Sequence, residues 1–280
     1  MTRADILITA PELARHLVAG RPVNVLDVRW ELTHPDGREA FSAGHIPGAV
    51  YVSLEDDLTD HRLPGLGRHP LPSGAAVEAA ARRWGMRAGS PTVVYDDWNR
   101  AGSARTWWVL TAAGVEDVRI LDGGLAAWIE TGGALETGFP TTGSGDVTIV
   151  HPDLYHGALP TLTADQVAVS RHPLLDARAP ERFRGEKEPV DPVAGHIPGA
   201  RNAPSTSVLS PDGTFLPDEQ LRDFFGARGV GGSAAAYCGS GVTAAVLVAA
   251  LRAVGADAHL FPGSWSQWCA EPSRPVATGP

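Results

Sequence analysis

The chain has 280 residues, of which 43% are hydrophobic and 20% charged, and its formal net charge is −9. That length suits two ordinary domains of roughly 100–150 residues, and no apolar run approaches the ~20 residues that span a bilayer, so a helical membrane protein is excluded. The acidic balance, with no basic stripe, argues against a nucleic-acid partner, although a local cluster of arginines is able to hold a small anion whatever the global sign.

The first residues, Met1-Thr-Arg-Ala-Asp-Ile, lack the apolar core and small-residue cleavage site of a secretory leader, and a cytoplasmic location is expected. A helix is predicted over 10–17 and a short buried strand over 23–28, with a carboxylate, Asp27, near its end. Helix 75–84, strand 92–95, helix 103–113 and strand 118–121 follow. Trp107 and Trp108 fall in the third helix and are expected in packing. Glycine and proline then cluster from 132 to 145, and a domain boundary is expected near 138–160. Within this stretch Val147-Thr-Ile-Val150 is apolar enough to pair with a sheet. Beyond it the pattern restarts: a helix opened by Thr163, a strand over 173–177, helix 218–227, strand 234–237, helix 243–254 and strand 258–261. Strands alternating with helices imply parallel sheets covered on both faces.

The restart is a repeat. Gly-His-Ile-Pro-Gly-Ala occurs at 44–49 and again at 195–200, and neighbouring segments correspond in the same order. Val25-Leu-Asp-Val-Arg29 answers Leu174-Leu-Asp-Ala-Arg178, and Ile120-Leu-Asp-Gly-Gly124 answers Leu260-Phe-Pro-Gly-Ser264. The expected architecture is α/β, in two tandem domains at 1–140 and 160–280 joined by a linker at 141–159, each a mainly parallel sheet with helices on both faces. A ligand cleft is expected between them. His45 and His196 lie inside the repeated hexapeptide, so they are expected to be architectural, as are the pairs Asp27 with Arg29 and Asp176 with Arg178. No Cys-x-x-Cys or His-x-x-x-His spacing suggests a metal, and no glycine fingerprint suggests a nucleotide cofactor, so neither is expected.

One difference between the copies carries the chemistry. Thr92-Val-Val-Tyr-Asp96 aligns with Ala234-Ala-Ala-Tyr-Cys238, so only the second copy offers a thiol. In Cys238-Gly-Ser-Gly-Val-Thr-Ala244 the cysteine sits between a strand and a helix, where backbone N–H groups converge and glycines allow the chain to curl. These donors and the helix terminus, without a basic neighbour, are expected to bring the thiol below the free value of ~8.5. Cys269 has no such setting, and both cysteines are expected to be unpaired thiols.

With the paired hexapeptides, Asp176-Ala-Arg178, Arg182-Phe-Arg-Gly185, the cysteine loop and the closing Gly263-Ser-Trp-Ser-Gln-Trp268, the chain resembles the two-domain rhodanese family of sulfurtransferases over essentially its whole length. The resemblance implies an inactive first domain, with Asp96 at the cysteine position, and a second domain in which Cys238 accepts a sulfane sulfur as a persulfide and passes it to a thiol or to cyanide. A Cys-Gly-Ser-Gly loop resembles that of 3-mercaptopyruvate enzymes, whereas thiosulfate enzymes carry Cys-Arg-Lys-Gly; thiosulfate is the alternative donor. Gly239, Gly241, Val242 and Thr243 are expected to line the donor site, with Arg182 as its carboxylate-binding cation. A second arginine of the family pattern is unmatched, since Val190 stands at its place, with Lys187 and Arg184 as nearby cations. The resemblance further implies a proton relay of Ser240, His69 and a carboxylate, Glu55 with Asp56 beside it. The implied partners are a small anionic sulfur donor, a thiol or cyanide acceptor and a thioredoxin-like reductant, and a chain that builds its cleft from its own halves is expected to be a monomer. A cysteine phosphatase would need an arginine six residues after the cysteine, where Ala244 stands; a non-catalytic sulfur carrier is the other rival.

Overall fold

A computed structural model describes all residues, 1–280. The first half forms a five-stranded sheet from β1 (Leu7–Ile8), β2 (Asn24–Asp27), β3 (Val50–Tyr51), β4 (Thr92–Tyr95) and β5 (Val118–Leu121), in the order β1-β5-β4-β2-β3. The second half forms a four-stranded sheet from β6 (Leu174–Asp176), β7 (Arg201–Asn202), β8 (Ser233–Tyr237) and β9 (Asp257–Leu260), in the order β7-β6-β8-β9. Thr161 makes an isolated parallel bridge to Leu260, occupying beside β9 the place that β1 occupies beside β5. The two sheets thus repeat each other strand for strand. Every ladder is parallel, which demands crossover connections and two covered faces. The central strands accordingly bury Leu26, Val93 and Val94 in one domain and Leu175, Ala235 and Ala236 in the other.

The predicted helices form with boundaries shifted by a residue or two, at Ala10–Val18, Gly74–Arg83, Ala101–Ala112, Ala164–Val169, Asp218–Gly226 and Ala244–Ala253. Thr9 with Glu12, and Thr163 with Gln166, close reciprocal capping boxes at two of the starts. The Ala101–Ala112 and Ala244–Ala253 helices are buried almost all round, including Trp107 and Trp108. Helices of that kind need apolar partners on every side; these two pack on each other, and one continuous core runs through both domains. No helix is long and apolar enough to cross a membrane.

The expectation of a paired strand at 147–150 is not met, because the groups a ladder needs are engaged otherwise. Arg82 Nε donates to the Val147 carbonyl, and the Ile149 N–H donates to Glu78. Just upstream the Gly145 and Asp146 N–H groups bond the carbonyls of Arg82 and Met86, so this segment is strapped to the first domain without joining its sheet.

The repeated hexapeptide braces strand ends. The His45 ring stacks on Phe41 at 3.9 Å and bonds its carbonyl at 2.9 Å; His196 treats Phe183 identically at 3.8 and 2.8 Å. Next to each, the Ile46 and Ile197 N–H groups donate to the hydroxyls of Tyr95 and Tyr237, the last residues of β4 and β8. Arg29 grips Asp27 and the Gly44 carbonyl, and Arg178 grips Asp176 and the Gly195 carbonyl. The residue that follows each tyrosine, Asp96 or Cys238, is therefore held from two directions at the carboxyl end of a parallel strand, where open α/β sheets place their ligands.

Candidate active site

Cys238 leaves β8 into a tight loop that leads to the Ala244–Ala253 helix. Gly241, at the loop's turn, has φ +81°, and a Cβ there would strike the Pro262 carbonyl, so the position admits only glycine. Its N–H donates to Cys238 Sγ at 3.1 Å. The N–H groups of Gly239, Ser240, Val242 and Thr243 have no acceptor within the protein, which leaves them to an anion on or beside the sulfur. The closing segment 263–268 supports the loop: Ser264 Oγ accepts from the Cys238 N–H at 3.1 Å, while the Trp265 and Ser266 N–H groups donate to the carbonyls of Cys238 and Gly239. Cys269 lies outside this arrangement, and burial pushes its thiol above the usual range.

The relay residues come together across the domain boundary. His69 Nδ1 lies 2.6 Å from Ser240 Oγ, and His69 Nε2 lies 3.2 Å from Glu55 Oε1, which also accepts from the Trp30 indole at 2.7 Å. The hydrogen bond from His69, reinforced by that of Trp30, holds Glu55 down to about 2, while burial lowers His69. At neutral pH the pair is thus a carboxylate and a neutral imidazole. A carboxylate only accepts, so Nε2 carries the imidazole proton and Nδ1 accepts from the Ser240 hydroxyl. Asp56 takes no part; it pairs with Arg38 and accepts from Ser53. His61, which sequence reasoning did not single out, meets the outer oxygen of Glu55 at 3.1 Å.

Arginines define the rest. Arg182 is held by Glu188, Nη2 to Oε1 at 2.6 Å, and reaches Asp191 at 3.4 Å. Arg68, from the first domain and unanticipated, meets Asp191 at 2.6 Å. Lys187 is exposed and Arg184 pairs with Glu186 at 2.7 Å, so neither supplies the missing cation. A third, Arg105, is fully buried in the Ala101–Ala112 helix, with no carboxylate partner. It donates to the carbonyls of His69 (3.0 Å), Leu58 (3.1 Å) and Gly241 (3.4 Å), tying the relay segment to the cysteine loop. Burial pushes its guanidinium down to about 10, an effect opposed by Tyr155 and by the Cys238 sulfur. The loop therefore has cations around it, contrary to the expectation of a thiol without a basic neighbour. The signal for Arg105 was present, as a lone cation in the otherwise uncharged run Ala101-Gly-Ser-Ala-Arg-Thr-Trp-Trp108. Arg105→Met strands three buried carbonyls at ~1–3 kcal/mol each, and a fall of that order in the unfolding free energy from denaturant titration is expected.

The first domain shows what the same loop does without sulfur. Asp96 accepts from the N–H groups of Trp98, Arg100 and Ser103 and from the Ser103 hydroxyl, and pairs with the buried Arg100 guanidinium at 3.0 Å. Its own carboxylate satisfies that cradle. The tip of this loop lines the candidate site, where a cleft of about 290 Å³ is walled by Trp30, Leu32, Arg68, Trp98 and Asn99 from one domain and by Arg182, Cys238, Gly239, Ser240, Val242 and Thr243 from the other.

Comparison with known proteins identifies the family. The rhodanese-like domain family matches residues 9–131 and again 160–271. The chain is 60% identical to the Mycobacterium tuberculosis protein named "Putative thiosulfate sulfurtransferase SseB", over 99% of this chain and 98% of that one. It is 46% identical to the Pseudomonas aeruginosa protein named "Probable 3-mercaptopyruvate sulfurtransferase", over 98% of each. The structure of SseA from Escherichia coli, described among 3-mercaptopyruvate sulfotransferases of the rhodanese fold, superposes with a TM-score of 0.81 at 30% identity, covering 95% of this chain and all of that one. The chain thus belongs to the rhodanese-like family of sulfurtransferases, as two such domains in tandem.

Proposed function

We propose that the chain moves a sulfane sulfur from 3-mercaptopyruvate to a thiol or to cyanide through a persulfide on Cys238, with a thioredoxin-like reductant among its acceptors. The observation that carries the donor is the relay of Ser240, His69 and Glu55. When the Cys238 thiolate attacks the donor sulfur, an S–S bond forms, the C–S bond breaks, and pyruvate leaves as its enolate. Ser240 passes the donor's thiol proton to His69 Nδ1, Glu55 stabilises the resulting imidazolium, and the proton returns to the enolate carbon. Atoms and charge balance: thiolate plus mercaptopyruvate gives persulfide anion plus pyruvate. An attacking thiolate or cyanide then takes the outer sulfur and restores the Cys238 thiolate. Arg182 faces the donor carboxylate, and the free loop N–H groups face the persulfide.

Thiosulfate is the second reading, favoured by the name of the Mycobacterium tuberculosis relative. Its leaving group, sulfite, needs no proton, so a proton relay brings it little. Values of kcat/KM measured side by side separate the two. A preference for thiosulfate of about tenfold or more, ~1.4 kcal/mol of transition-state free energy, overturns the donor assignment and leaves sulfur transfer intact.

The relay also sets a pH dependence. His69 must begin neutral, and burial holds its pKa below the free value of ~6.5. Turnover of 3-mercaptopyruvate is expected to be level through neutrality and to fall in acid as His69 protonates. Both His69 and Glu55 bind fewer protons in the folded chain than in the unfolded one. Their contribution to stability is therefore complete above ~6.5 and is lost as pH falls, first from His69 and then from Glu55 towards about 2. A kcat profile whose acid limb begins above ~6.5 counts against His69 as the base.

A further inference from the structure

The clamp on the donor's carboxylate is short of one cation on its own domain, where Val190 stands exposed. We propose that Arg68 of the first domain supplies it, so that the donor anion is gripped by one arginine from each domain; this rests on the reading of the donor as an α-keto thiol carboxylate.

Geometry brings the two guanidiniums to one point. A Cβ built on Gly239, the residue after the nucleophile, would lie 3.1 Å from Arg68 Nη2 and 3.6 Å from Arg182 Nη1. Neither nitrogen has a protein partner. The acidic side chains take the other ends: Asp191 holds Arg68 through Nη1, and Glu188 holds Arg182 through Nε and Nη2. Asp191 and Glu188 therefore aim the two forks and leave one N–H₂ edge of each over the loop, beside Cys238. The Nε of Arg68 is buried without an acceptor as well.

Arg68 is positioned, and not merely near. Its N–H donates to Ser266 Oγ at 3.0 Å, and Gly67 before it has φ +89° with no room for a Cβ against the Gly263 carbonyl. The segment that carries His69 to Ser240 is thus docked on the loop's supporting residues 263–268, and Arg68 comes with it. Two spare edges converging on one spot suit a carboxylate, whose two oxygens each accept from a fork. The same closeness gives Gly239 a reason to be glycine, because a Cβ there would crowd the Arg68 guanidinium and touch that of Arg182.

The test uses the full chain in a Cys269→Ser background, so that a single thiol reports. Cys238 is alkylated with anionic iodoacetate and with neutral iodoacetamide, and the ratio of the two rates reads the clamp independently of any sulfur donor. Arg68→Met is expected to lower that ratio about tenfold, as Arg182→Met does, with the iodoacetamide rate little changed. It should also raise KM for 3-mercaptopyruvate more than it lowers kcat, the pattern of lost uniform binding. Adding Val190→Arg to Arg68→Met is expected to restore much of the ratio. A ratio within about twofold of wild type in Arg68→Met, with Arg182→Met depressed, overturns the proposal. Should Arg68→Met fold poorly, as loss of a cooperative denaturant transition would reveal, Arg68→Gln keeps a donor for Asp191 and carries the same two outcomes. A wild-type preference for thiosulfate overturns the donor reading while leaving the alkylation result, and so the clamp, standing.

Discussion

Cys238→Ser is expected to reduce sulfur transfer to the uncatalysed background with every donor, while Cys269→Ser retains full activity. The contrast follows from where each sulfur sits. Cys238 receives the Gly241 N–H at 3.1 Å, opens a loop whose other N–H groups have no acceptor within the protein, and has the buried Arg105 guanidinium on the far side of the same glycine. These groups leave room and donors for an anion carried on the sulfur. A serine hydroxyl in that place stays protonated at neutral pH and has no sulfur chemistry. Burial pushes the Cys269 thiol up, and Asp191 among its neighbours disfavours a thiolate there further. Incubation with donor followed by intact mass should show one added sulfur atom, and peptide mapping should place it on Cys238. A persulfide on Cys269, or activity persisting in Cys238→Ser, overturns the assignment of the nucleophile.

The parts of this site that could be read from the chain and the parts that could not differ in a physical way. The repeat, the strand-helix alternation and the cysteine loop are local: Gly241 needs its positive φ because of its immediate neighbours, and Thr163 caps its helix three residues on. Such features leave a signature in adjacent letters. His69 and Glu55 are nonlocal, 171 and 185 positions from Ser240 in sequence; only resemblance pointed to them. Arg68 and Arg105 were missed altogether. Arg105 depends on the Ala101–Ala112 helix packing against the Ala244–Ala253 helix, and Arg68 on the docking of its own segment on residues 263–268; a lone cation in an uncharged run was legible for Arg105, but no short pattern encodes either docking. The strand expected at 147–150 failed for a related reason. Its apolar character was legible, but the competing claims of Arg82 and Glu78 on its backbone were not.

Ser240→Ala and His69→Gln are each expected to cut kcat with 3-mercaptopyruvate by ~10²–10⁴-fold, the usual worth of positioned proton transfer, and to change thiosulfate turnover by less than about tenfold. Expulsion of an enolate requires a proton at carbon, and the 2.6 Å contact between Ser240 and His69 is the route proposed to carry it. Sulfite leaves as a stable anion, so the same substitutions remove nothing its release requires. Glu55→Gln should fall between, because an amide still accepts from the Trp30 indole and from His69 but no longer stabilises the imidazolium by charge. The thiosulfate rate serves as the internal control, since any loss of fold or of loop geometry depresses both donors together. Equal losses with the two donors would mean that Ser240 and His69 only hold the loop in place, and the proton relay, along with the donor assignment built on it, would have to be abandoned.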